Sequence, residues 1–182
     1  MVYTIGHSTH DAETFASLLR RHEVQLLADV RHHPGSRRVP WTNPGSIESI
    51  FPVPYVHLAE LGGRRRPLPD SPNDFWRNPG FRGYADYMGS EEFAAGLERL
   101  LALAADQRVA VMCAEAQWWR CHRRLIADAL VACGREVVHI DSRGATEPHN
   151  LTAGAVVNVL DWAGPAESFS SPPPGRLFPH RL

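Results

Sequence analysis

The chain contains no lysine: all 19 of its Lys and Arg residues are arginine. That absence excludes Schiff-base chemistry and a Walker-type phosphate loop, both of which need a lysine amine. A GC-rich coding sequence is the simplest source of so uniform a basic complement. Cysteine is scarce. Cys113, Cys121 and Cys133 are odd in number and fall in one stretch, so reduced thiols are expected rather than a disulfide framework. No apolar run approaches the ~18 residues of a membrane span. The first residues also lack the basic and apolar regions of a signal peptide. A cytoplasmic, unanchored protein without a membrane partner is therefore expected. The net charge of −1 argues against coating nucleic acid by bulk electrostatics. Locally the balance differs, since between Asp29 and Arg66 six arginines meet three carboxylates, a charge of +3. Arginine suits bidentate recognition of phosphate or carboxylate.

The 182 residues fit one domain with a buried core, here expected over 1–163, followed by a mobile Pro/Ser-rich tail over 164–182. Apolar runs at 2–5, 24–30, 55–58, 109–113 and 137–140 read as strands. Helical spacing marks a helix after Asp11, a short one from Asn43-Pro44 to Phe51, and others at 81–88, 90–105 and 121–133. Their alternation predicts an α/β fold. We expect a mostly parallel sheet of about five strands with helices on both faces, a Rossmann-like three-layer sandwich. Ligands of such sheets bind beyond the carboxyl ends of the strands. His7 and Ser8, Asp29 and Arg31, and Cys113 and Glu115 all follow strand ends.

Cys121 at the start of a helix and beside His122, Arg123 and Arg124 has the electropositive setting that favours thiolate. Both it and Cys113 would equally serve as small buried apolar groups. Glu115 suits a general base or an electrostatic partner of Arg123, and His122 an acid–base group or a plain surface histidine. Trp118 and Trp119 suit a stacking wall for a base or sugar, or an anchor of the loop on the core. Six residues separate Cys113 from Arg120, one more than in cysteine phosphatases, and the loop carries a carboxylate and no glycine. An anion-cradling loop is therefore not expected. Cys113, Cys121, His122 and His139 are soft metal donors, but an i, i+8 separation of the cysteines is no standard zinc spacing. No cofactor is expected, with zinc or iron the lesser alternative.

A set of ordered stretches carries a resemblance. They are Thr4-Ile5-Gly6-His7-Ser8, Asp29-Val30-Arg31 with Pro34 and Ser36-Arg37, Leu61-Gly62-Gly63, and Gly83-Tyr84-Ala85-Asp86-Tyr87-Met88. Cys113-Ala114-Glu115, Cys121-His122-Arg123-Arg124 and Val138-His139-Ile140 follow, with a weaker match at Glu147-Pro148-His149-Asn150-Leu151. In these the chain resembles a bacterial and archaeal family named domain of unknown function 488. The resemblance implies an α/β fold and a cluster of cysteine, glutamate, histidine and arginine, and it assigns no reaction. Trp118-Trp119 departs from the small or polar residues that family members often carry there, which bears on substrate preference.

Residues and resemblance together mark Cys113, Glu115, Cys121, His122 and Asp29 as candidate catalytic groups. Candidate substrate contacts are His7, Ser8, Arg31, Ser36, Arg37, Tyr84, Trp118 and Arg123. The leading expectation is an enzyme acting on a phosphate-bearing or otherwise anionic small molecule, nucleotide or nucleic acid. Thiol redox or sulfur transfer through Cys121 and Cys113 is the second. The third is a non-catalytic module binding nucleic acid or protein through the arginine-rich loop at 62–66.

Overall fold

The structure is a computed structural model and describes residues 1–51 and 53–154. Apolar runs without alternation become inner strands, because a strand covered on both faces has no polar side. Val2–Gly6 (β1), Leu26–Asp29 (β2) and Val109–Cys113 (β4) are buried at every position. Tyr55–His57 (β3) and Val137–Ile140 (β5) complete the parallel part of the sheet, and Thr146–Pro148 (β6) pairs antiparallel with β5. The order is β3-β2-β4-β1-β5-β6, so β4 lies between β2 and β1, and their three carboxyl ends are neighbours. Parallel register sets Gly6 opposite Cys113, and Asp29 opposite Met112.

Five helices accompany these strands among the described residues: Ala12–Arg21 (α1), Ser46–Ile50 (α2), Pro79–Tyr87 (α3), Glu91–Leu103 (α4) and Arg123–Ala132 (α5). Alternate strand residues feed two hydrophobic clusters. Tyr3, Ile5, Leu27, Ala110 and Met112 join Phe15, Leu18 and Leu19 of α1 and Ile47 of α2. Val2, Ala28, Val109, Val111 and Cys113 join residues of α3, α4 and α5, including Tyr84, Phe93, Leu100 and Leu125. The protein is thus α/β, with a six-stranded, mostly parallel sheet of mixed orientation.

Several expected boundaries move for local reasons. β2 begins at Leu26 rather than Val24, because Glu23 takes a left-handed φ of 51° and the Val24 amide closes α1 on the Leu19 carbonyl. Asn43 does not cap a helix; its Oδ1 accepts from the Ser36 amide, and α2 starts later, at Ser46. Asn78 caps α3 through the amides of Gly80 and Phe81, so that helix starts ahead of Phe81. α5 starts at Arg123, not Cys121: Trp118–Arg120 forms a 3-10 turn, and Cys121 is extended at φ −120°, ψ 151°. β6 was not expected, for its three residues are all exposed and carry no apolar pattern. No helix among the described residues is long and apolar enough to cross a membrane. The expected tail at 164–182 lies outside the described residues.

Candidate active site

The sheet brings the site together at the exits of β1, β2 and β4. Beyond the strands proper, the His7 amide donates to the Cys113 carbonyl at 2.9 Å and the Ser8 amide to that of Ala114 at 3.1 Å. This pins the two exits against each other. A Cβ on Gly6 would lie 2.0 Å from the Glu115 carbonyl oxygen, so only glycine admits that close passage. The chain then turns through residues 118–120 and returns Cys121 to Cys113. The two Sγ atoms and His122 Nδ1 all lie within 4.8 Å of one another.

His122 is oriented from both ends. Its Nε2–H donates to the Val30 carbonyl at 3.0 Å, which leaves Nδ1 facing Cys121 Sγ at 3.5 Å and Cys113 Sγ at 3.9 Å. The ring rests on Tyr84, 5.1 Å away between centroids, and the Tyr84 hydroxyl donates to the Leu61 carbonyl at 2.8 Å. Tyr84 is fully buried and its hydroxyl has that partner, so it supports the histidine rather than facing a ligand. Burial also pushes its phenol well above the ordinary range.

Arg123 is 0% exposed. Its Nε donates to Cys121 Sγ at 3.5 Å, and Nη2 donates to the Glu115 carbonyl and, at 3.3 Å, to that of Ala116. Its Nη1 has no hydrogen-bond partner. Among the described residues no carboxylate lies within ion-pair distance of it. A buried cation needs an anion, and Cys121 sulfur is the group offered. The thiol of Cys113 and the charges of His122 and Arg123 hold Cys121 well below the ordinary thiol range despite burial. Cys113 moves the other way, well up, because it donates to Cys121 and is itself buried. The two thiols are thus pushed in opposite directions, Cys121 toward ionisation and Cys113 away from it.

Asp29 and Arg31 form a second, self-contained unit. Arg31 Nε donates to both Asp29 oxygens at 2.9 and 3.0 Å, and Nη2 reaches Asp29 Oδ2 at 2.5 Å and the Thr42 carbonyl at 2.8 Å. Its Nη1 donates to Thr42 Oγ1 at 3.1 Å and meets His7 Nε2 at 3.4 Å. The Tyr55 hydroxyl donates to Asp29 Oδ2 at 2.9 Å. Neither charge is left over for a ligand. His7 Nδ1–H donates to the Ser8 carbonyl at 3.0 Å, and burial, aided by Arg31, holds the ring down to about 4. Ser8 bends away with a left-handed φ of 48°.

The other candidates lie apart from the thiols. Glu115 is exposed and its carboxylate accepts from the Gln117 amide at 3.4 Å, so the expected contact with Arg123 runs through its backbone oxygen. Ser36 Oγ accepts from the Val39 amide at 3.0 Å, and Arg37 is exposed. Trp118 stacks flat on His139, 3.9 Å between centroids and 7° between planes, and donates to Glu147 at 3.3 Å. It anchors the loop. Trp119 is 47% exposed.

Sequence reasoning missed a buried polar chain behind that loop. Thr4 Oγ1 meets His139 Nδ1 at 2.7 Å, His139 Nε2 meets His149 Nδ1 at 2.9 Å, and His149 Nε2 donates to Asp128 Oδ1 at 3.0 Å. Burial, then His149 and Arg123, holds His139 down to about 3. With both ring nitrogens engaged, His139 is not available as a metal donor beside the cysteines. The potential donor set is Cys113, Cys121 and His122. Thr4, His139 and His149 each fall in the ordered stretches of the sequence, but nothing there indicated that they meet one another or Asp128.

A family model described as "Domain of unknown function DUF488" matches residues 11–130. No curated protein and no solved structure matches the chain.

Proposed function

The chain belongs to the DUF488 family, and we propose that it is an enzyme whose Cys121 thiolate is the nucleophile in covalent chemistry on a phosphate-bearing or otherwise anionic substrate. The observation that carries this reading is Arg123, a fully buried guanidinium with no carboxylate partner among the described residues and with its Nε on Cys121 sulfur. The cation favours the ionised sulfur, and the ionised sulfur is the reactive form. Cys113 keeps the proton that Cys121 lacks and stands beside it as the proton donor for a leaving group. The two hydrophobic clusters support a Rossmann-like, three-layer reading of the fold. α1 after β1 and α5 after β4 then cover opposite faces, and the gap between β1 and β4 is where such sheets take ligands. Arg37 and Arg38, and Arg64 and Arg66, are exposed on the segments following β2 and β3, supplying positive charge for an anion.

Alkylation rate against pH tests the proposal. In full-length protein at pH 6, Cys121 is expected to react about tenfold or more faster than free cysteine. Its rate with iodoacetate relative to iodoacetamide should also exceed that of free cysteine severalfold. A Cys121 no faster than free cysteine overturns the thiolate. An ordinary rate ratio overturns the anionic substrate class. The contact of the two sulfurs favours a second reading, reversible dithiol–disulfide exchange. It gains support in the same assay if mild oxidation protects Cys113 and Cys121 together and a reductant restores both.

A further inference from the structure

We infer that Cys113, Cys121 and His122 form a three-donor site for a thiophilic d10 metal ion, Zn²⁺ or Cu⁺, with a coordination position left open. The inference rests on the reading that these three side chains act as one site.

Donor spacing is the first argument. Metal–sulfur bonds of about 2.3 Å and metal–nitrogen bonds of about 2.0–2.1 Å, at a tetrahedral angle, set sulfur and nitrogen about 3.6 Å apart. His122 Nδ1 lies 3.5 Å from Cys121 Sγ and 3.9 Å from Cys113 Sγ, so both spacings are near a coordination edge already. The second argument is the histidine's far side. A metal-bound imidazole donates its other N–H to a carbonyl or carboxylate, which fixes the lone pair on the metal. His122 does this through Nε2 to Val30. Third, Nδ1 is left room. A Cβ at residue 63 would sit 2.7 Å from it, and that residue is glycine.

Charge narrows the choice of ion. With both sulfurs bound as thiolates, Cu⁺ leaves one negative charge, which the buried Arg123 cancels through its contact with Cys121. Zn²⁺ leaves the whole group at one positive charge, and its open position then takes an anionic fourth ligand. Both ions share the soft, three-donor chemistry, and the experiment separates them.

Reduced, chelator-stripped full-length protein is titrated with Co²⁺ as the coloured stand-in for Zn²⁺. In parallel it competes for Zn²⁺ and for Cu⁺ against a colorimetric chelator of each. The expected result is one equivalent bound, with intense d–d bands and sulfur-to-cobalt charge transfer in the Co²⁺ arm or retention of Cu⁺ in the other. Cys113→Ser and Cys121→Ser should each lose the signal while far-UV circular dichroism stays unchanged. Cys133→Ser, whose residue lies at the far end of α5, should keep it. If the wild type gives no Co²⁺ bands and takes neither Zn²⁺ nor Cu⁺ from its chelator, the inference is overturned, as it is if the double Cys113→Ser, Cys121→Ser variant binds equally well. Alkylation of the metal-free protein is independent of these arms. A fast Cys121 without metal binding overturns this site alone, and metal binding with an ordinary Cys121 overturns the enzyme reading alone.

Discussion

Asp29 and Arg31 carry the charges expected of an acid–base group and an anion contact, yet they are 0% and 6% exposed and bonded to each other. Burial turns the pair into structure. Removing one member of a buried ion pair leaves the other uncompensated, at a cost of about 3–5 kcal/mol. Arg31→Ala should therefore lower the unfolding free energy by about that amount in urea titrations. Cys121 alkylation in the remaining folded protein should be nearly unchanged. A stability within about 0.5 kcal/mol of wild type would return Arg31 to the list of ligand contacts. Residue identities at the strand ends were legible in the sequence; their partners were not. Nothing in the segment 29–31 indicates that Thr42, arriving through a 3-10 turn, supplies two acceptors to the guanidinium. For Cys121 the reverse holds, because the groups that meet its sulfur, His122 and Arg123, are its neighbours in sequence.

At the scale of elements, long apolar strands were the readable part. β4 and β5 fall where their apolar runs stand, since burial on both faces leaves no polar register to confuse them. β6 was invisible because its three residues are held by backbone pairing to β5 and bury no side chain. The pairing of Cys113 with Cys121 was named from sequence, but the route that closes it was not: it depends on the 3-10 turn at 118–120, which lets an extended Cys121 fold back before α5 begins. The segment after Leu61 holds the opposite wall. Gly63 passes so close to His122 that an added Cβ would meet the ring at 2.7 and 3.0 Å, and Tyr84 backs the same ring. Gly63→Ala must push the imidazole off the sulfurs or strain the loop. We expect a loss of about 1–3 kcal/mol in stability and a severalfold fall in Cys121 alkylation at pH 6. A variant that loses stability but keeps the alkylation rate would show that His122 does not set the thiolate.

At the scale of the molecule, the sheet encloses two histidines that stay neutral when the chain folds. His7 at the exit of β1 is held down to about 4 and His139 in β5 to about 3, both chiefly by burial. An unfolded chain binds protons at these rings below about pH 6.5, where the native protein does not. The unfolded state then holds more protons, so stability rises with pH across the window and falls as pH drops from about 6.5 toward 4. Each ring contributes a slope of about 1.4 kcal/mol per pH unit once its unfolded form is protonated. Denaturation midpoints measured between pH 7 and 4.5 should therefore decline steeply below pH 6. His139→Gln should lower stability at pH 7, because it breaks the chain from Thr4 to Asp128, and should remove about half of the decline. An unchanged slope in that variant would mean that His139 is protonated in the native protein at these pH values. The polar chain behind the loop would then be a charged relay rather than a neutral brace for Trp118 and the turn that delivers Cys121.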